Sequence, residues 1–150
     1  MKTVIQRVSE ASVTIEGKVK GSIQQGYLIL AGISDEDDET VVKKMAEKIR
    51  KLRIFEDENG KMNLSIEQVG GAILSISQFT LYADCRKGNR PGFDKAGKPA
   101  HAEKLYLYFN QVLRDMGLTV EEGIFGAEMK VRLLNDGPVT ILLDSQELKM

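Results

Sequence analysis

Along this chain, hydrophobic and polar positions change their spacing from segment to segment. Residues 4–15 alternate imperfectly but are rich in Val, Ile and Thr, which suits a strand. Gly17 and Gly21 punctuate a second, short strand around Val19. Residues 27–33 form a short, continuously apolar run and predict a buried strand. The run Asp35-Glu36-Asp37-Asp38-Glu39 then opens a helix, because carboxylates suit the positive end of the helix dipole. Val42, Met45, Ala46, Ile49 and Leu52 follow at helical spacing and form its buried stripe.

Asn59-Gly60 lies between two short apolar segments and predicts a hairpin. Residues 72–77 alternate after the break at Gly70-Gly71 and read as a strand. The longest irregular stretch, 82–99, holds Arg86, Lys87, Arg90, Lys95 and Lys98 with Pro91 and Pro99. Long loops in compact domains tend to be functional. A second helix follows over about 100–116, with Ala102, Leu105, Tyr106, Phe109, Val112, Leu113 and Met116 as its stripe. Pro99 suits its first turn and Gly117 its stop. Three strands are expected after it, near 119–122, 128–134 and 139–145, with Asn135-Asp136-Gly137-Pro138 joining the last two.

Strands gathered at both ends of the chain fit a doubly wound parallel sheet poorly. The expected fold is α/β, with mainly antiparallel or mixed β-sheets covered on one side by two long helices. The face left bare needs another cover, a second packed sheet or a partner subunit. All 150 residues form one domain in this reading.

Composition narrows the class. Apolar residues make up 42% and charged residues 29%, as in globular chains. No apolar run approaches the ~20 residues that cross a bilayer, so no membrane association is expected. Cys85 is the only cysteine, and Met1 to Arg7 has no signal-peptide core, which together suit a reducing cytoplasm. A net charge of −1 argues against a generally basic nucleic-acid binder. It leaves room for a local patch at Lys43, Lys44, Lys48, Arg50, Lys51 and Arg53, opposed only by Glu47. That patch is either a solvated helix face or a phosphate-facing surface.

Candidate chemistry is sparse. One His and one Cys make no metal site, and no cofactor motif is present. His101, in the first turn of a helix, fits a surface or capping role better than that of a general base. Cys85 between Asp84 and Arg86 has no evident catalytic partner, though a cysteine-dependent hydrolase stays open as an alternative. Ser77, Gln78 and Thr80 gather hydroxyl and amide groups where a strand meets the long loop. Thr80 as a nucleophile needs a base, and none is evident. Backbone N–H groups aimed at an oxyanion can still assist acyl transfer.

Two motifs sharpen this. Ser77-Gln78-Phe79-Thr80-Leu81 and Asn135-Asp136-Gly137-Pro138-Val139-Thr140 together resemble the signatures of the D-aminoacyl-tRNA deacylase family. The opening IQRVSEASVTI, the stretch KGNRPGF and the total length resemble it too, so the likeness spans the chain. The resemblance implies hydrolysis of the ester between a D-amino acid and tRNA, and of glycyl-tRNA mischarged on tRNA-Ala. It implies a homodimer with sites at the subunit interface, barrel-like across the dimer, with no cofactor. It further implies that Gly137-Pro138 is cis and enters the partner's site, where its carbonyls hold the substrate amino group and exclude an L side chain. Arg7 resembles the arginine that braces this unit. Thr80 and Gln78 would lie beside the ester carbonyl, with the Phe79 backbone N–H as an oxyanion donor and Ser77 lining the site. Attack by a water activated by the ribose 2′-OH is preferred to attack by Thr80. A non-catalytic RNA-binding module is the alternative reading.

Overall fold

A computed structural model describes all 150 residues. Strands β1 (Lys2–Ile15), β2 (Lys18–Ile23) and β3 (Gly26–Gly32) lead into helix α1 (Glu39–Lys51). The hairpin β4 (Phe55–Glu56) and β5 (Met62–Leu64) and strand β6 (Ala72–Ser77) follow. A short 3₁₀ helix (Phe79–Tyr82), helix α2 (Pro99–Asp115) and strands β7 (Thr119–Glu122) and β8 (Lys130–Asp144) complete the chain.

The main sheet is mixed. Its strands run β2-β1-β3-β6-β7, and β8 also pairs with β1. Strand β1 is the spine: it is antiparallel to β2, β3 and β8, whereas β3, β6 and β7 are parallel to one another. Parallel neighbours need long crossovers, and α1 and α2 supply them. The mixed sheet under two helices is the architecture expected from the strand distribution.

Helix α1 begins later than the acidic run implied. Asp38 is its cap, with the carboxylate accepting from the Val41 N–H at 2.9 Å, and only Glu39 lies in the first turn. Asp37 turns inward instead. It is buried and accepts from the Met1 amino group at 2.5 Å and the Ser34 N–H at 2.7 Å. The hairpin at Asn59-Gly60 forms as expected, with the Asp57 carboxylate accepting from the Asn59 and Lys61 N–H groups. The Lys61 bond contributes most to holding the Asp57 carboxyl below its ordinary range.

Two cores occupy the two faces of the sheet. The larger joins Ile5, Tyr27, Ile29 and Ile73 to Val42, Met45 and Ile49 of α1 and to Leu105, Tyr106 and Phe109 of α2. The smaller gathers Val8, Ala11, Val13, Ile23, Leu28, Leu74 and Ile76. The second cover sought from the sequence is therefore the sheet itself, since β2 curls towards β6 and β7: Lys20 Nζ donates to the Glu122 carbonyl at 3.3 Å. Gly26, at φ +157°, stands where a Cβ would collide with the Ala72 carbonyl, so the close start of β3 beside β6 requires glycine.

The last strands are not separated by a turn. Residues 130–144 form one strand running antiparallel along β1. Gln6 pairs with Thr140 and Val8 with Asn135, so Arg7 alone faces the four residues Asp136 to Val139. The segment read as a hairpin connection is a large bulge within β8.

Burial holds the phenols of Tyr27, Tyr82 and Tyr106 above their ordinary value of 10.0. The unfolded chain loses these protons first as pH climbs. Their contribution to stability is therefore whole below about pH 10 and declines above it. In an alkaline titration, phenolate absorbance from these three tyrosines should appear together with loss of far-ultraviolet dichroism; earlier ionisation in folded protein would contradict their burial.

Candidate functional site at the end of strand β6

Strand β6 ends at Ser77, and the chain turns directly into the 3₁₀ helix. The Gln78 N–H still donates to the Ala31 carbonyl of β3 at 2.8 Å, so the sheet fixes this corner. Behind it, the Ser75 carbonyl accepts from the Tyr106 hydroxyl at 2.7 Å and the Gly123 N–H at 3.3 Å. Helix α2 and the segment after β7 thus hold the strand end from two sides. The Gln78 side-chain amide donates to the Thr80 hydroxyl in a short contact. Phe79 is half exposed and stacks edge-on against Phe93 at 5.1 Å between ring centroids.

The long loop is pinned over this corner. Asp84 and Gly92 exchange two backbone hydrogen bonds at 2.7 and 2.9 Å. The Gly97 N–H donates to the Ile33 carbonyl, and the Lys98 N–H to the Asp35 carboxylate. Arg86 forms a two-pronged pair with Asp84, which holds the Asp84 carboxyl well below the usual carboxylate range.

A cavity of about 490 Å³ opens beside Ser77, Gln78 and Phe79. Its walls include Ile76, Gly97, Ala102, Phe125, Ala127 and Met129, and none of its lining residues carries a charge. The residues contributed by the β7–β8 connection escaped the sequence reading. The only local signal for them is a pair of glycines, Gly123 and Gly126, flanking Phe125. Thr80 stands beside the cavity through its contact with Gln78 and does not line it. His101 and Cys85 do not line it either; Cys85 is exposed, and the His101 Nε2 is buried without a hydrogen-bond partner.

Arg7, Gly137 and Pro138 form a second cluster elsewhere. The Gly137–Pro138 peptide is cis, and both residues are exposed. Buried Arg7 lies beneath them, donating through Nε to the Asp136 carbonyl at 3.0 Å and through Nη1 to the Ile54 carbonyl at 2.7 Å. The Asn135 amide donates to the carbonyls of Arg7 and Val139 at 2.9 and 3.0 Å and ties the two ends of the bulge together. Gly137 has φ +133°, and an added Cβ would lie 2.8 Å from Val139 Cγ2 and 3.1 Å from Arg7 Nη2. Only glycine fits there.

The two clusters do not meet within the chain. Arg7 faces Tyr27 at the start of β3, whereas Gln78 bonds to Ala31 near its end. Four residues of strand rise separate them, roughly 13 Å, and β8 lies three strand spacings from β6, about 14 Å more in the perpendicular direction.

In chemical terms, the cavity suits an uncharged, largely apolar group, and Ser77 and Gln78 place hydroxyl and amide groups at its corner. The family described as D-Tyr-tRNA(Tyr) deacylase matches residues 4–144. A D-aminoacyl-tRNA deacylase of Koribacter versatilis is 58% identical over 147 residues, covering 98% of this chain and 99% of the relative. One from Thermus aquaticus is also 58% identical, covering 98% and 97%. A solved structure described as a c-Myc DNA unwinding element binding protein superposes with a TM-score of 0.90 at 44% identity, covering 96% of this chain and 98% of that one. The chain belongs to the D-aminoacyl-tRNA deacylase family. No helix is long and apolar enough to cross a membrane, and no group of three or more His, Cys, Asp or Glu is placed to hold a metal ion.

Replacing Arg7 by Lys removes the fork that serves two carbonyls at once. Stability should fall by about 1–3 kcal/mol, read as a lower urea midpoint; an unchanged midpoint would show that the fork does not brace the bulge.

Proposed function

We propose that this protein hydrolyses the ester joining a D-amino acid to the terminal ribose of tRNA, and that it does so as a homodimer with composite sites. The observation that carries this reading is the bulge at Gly137-Pro138, held by hydrogen bonds from Arg7 and Asn135 yet exposed and distant from its own cavity. A unit built so firmly and left exposed fits a surface inserted into a second copy. The exposed Leu134 and Leu142 on β8, 57% and 72% accessible, suit burial in the same contact.

In the composite site, the cavity beside Phe79 receives the terminal nucleoside, whose uncharged base suits the apolar walls. The ester carbonyl lies at Gln78 and Thr80, and the Phe79 N–H, at the start of a helical turn with no partner inside that turn, donates to the developing oxyanion. Water attacks the carbonyl carbon, and the ribose 3′ oxygen leaves with a proton. No carboxylate, imidazole, amine or thiol lines the cavity to act as base. In this reading the ribose 2′-OH activates the water, and Thr80 positions rather than attacks. The carbonyls of the inserted Gly137-Pro138 unit hold the α-amino group and occupy the space of an L side chain. Discrimination by a main-chain wall ignores side-chain identity and rejects one hand by collision. The same tolerance extends to glycine, including glycyl-tRNA mischarged on tRNA-Ala. The cytoplasm, where translation runs, is the place of action.

Incubation with matched D- and L-tyrosyl-tRNA tests the activity. Release of amino acid from the D ester alone is expected; equal release from both, or from neither, rejects the proposal. Thr80→Ala then tests the route. A kcat within about tenfold of wild type fits water attack, whereas a fall of ~10³ or more assigns Thr80 the nucleophile's role.

A further inference from the structure

Tyr106 does more than packing requires. It belongs to the buried stripe of α2, where Leu105, Phe109, Val112 and Leu113 present only hydrocarbon. A phenylalanine would fill the same space. A buried phenol needs a hydrogen-bond partner, and the Tyr106 hydroxyl donates to the Ser75 carbonyl at 2.7 Å. The same face of α2 is fastened farther along. The Asn110 amide donates to the Glu122 carboxylate at 2.6 Å, and Arg114 donates to the Val120 carbonyl at 2.8 Å. These bonds set the helix against β7, and so set the height at which the phenol meets β6.

Ser75 is the last residue of β6 with a partner on both sides, Ile29 in β3 and Glu122 in β7. Ile76 and Ser77 pair with β3 alone. The chain leaves β7 after a longer bond, from the Gly123 N–H to the same Ser75 carbonyl at 3.3 Å. From Ser75 the strand therefore runs one-sided to Gln78, roughly 10 Å away. Tyr106 holds β6 where that strand loses its second neighbour. Its ring also stands against Phe125, a wall of the cavity, with centroids 6.2 Å apart. We propose that the Tyr106 hydroxyl is a positioning group for the reaction: it fixes the end of β6 so that Gln78 and the Phe79 N–H meet the ester carbonyl in the productive geometry. This rests on the reaction corner proposed above. A displacement of about 1 Å at reacting groups can cost roughly 10²-fold in rate, so one bond at the base of the strand end matters. The cavity wall depends on the ring and on Phe125, which loss of the hydroxyl leaves in place.

Tyr106→Phe keeps the ring and removes the bond, and the Gly123 N–H still serves the Ser75 carbonyl. With D-tyrosyl-tRNA, the maximal single-turnover rate should fall about tenfold to a hundredfold. The enzyme concentration giving half that rate should change by less than about twofold. Val112→Ala thins the packing of the same helix without removing a side-chain hydrogen bond, and it should keep the wild-type rate. Hydrogen exchange reads the strand end directly. The Gln78 amide should exchange faster in Tyr106→Phe than in wild type, by a larger factor than the Leu28 amide in the middle of β3. An unchanged rate, a weaker half-saturation at an unchanged rate, an equal loss in Val112→Ala or equal exchange factors at the two amides would each overturn the inference. Wild-type protein inert towards D-tyrosyl-tRNA would overturn the proposed function instead, and the exchange comparison would still decide whether Tyr106 fixes the strand end.

Discussion

The structure depends on how two long antiparallel strands pass from one hydrophobic core to another. On β1, Ile5 belongs to the core beneath the helices, and Val8, Ala11 and Val13 to the core enclosed by the curled sheet. On β8, Val139 belongs to the first core, and Val131 and Leu133 pack against the second. A regular strand keeps each face by its two-residue period. Changing cores therefore requires a break in register, and both breaks between β1 and β8 fall between Gln6 and Glu10. The extra residues this crossing creates are Asp136 to Val139, set against Arg7 alone. The protruding Gly137-Pro138 unit is thus a product of the packing problem, and buried Arg7 stabilises it by supplying donors that the interrupted ladder lacks.

This origin explains the distribution of chemistry. The bulge lies where the strands cross, at the β3 start of the sheet. The cavity lies at the other end, where parallel strands finish and loops gather. Hydrogen bonds to the sheet hold both places, and within one subunit they stand apart. The cavity lining is uncharged, while lysines without ion pairs lie on the exposed face of α1.

Much of this was legible in sequence because local rules and tertiary outcome agree. The stripe of Val42, Met45, Ala46 and Ile49 predicted both helix α1 and its buried face. Residues 72–77 formed the strand their alternation implied, and Ser77, Gln78 and Phe79 do line a cavity. The failures occur where one signal serves two structures. Asn-Asp-Gly-Pro favours a hairpin turn and a bulge alike, and only the partner strand distinguishes them. The acidic run before α1 looked uniform, yet Asp38 caps the helix while Asp37 is drawn inward by the Met1 amino group. Phe125, Ala127 and Met129 gave no sign of lining a site, since wall residues are chosen only for shape and apolarity.

The sequence by itself determined the elements, the two helix faces and the identity of the chemically distinctive residues, because these follow from spacing and side-chain type. It also carried the family likeness, which rests on two short motifs. Tertiary structure alone decided that 130–144 is one strand, that the sheet covers its own second face, and that Arg7 joins the bulge to the end of α1. Each of these depends on contacts between residues far apart in the chain. Such contacts are set by which apolar surfaces must be buried together, and local sequence does not encode that.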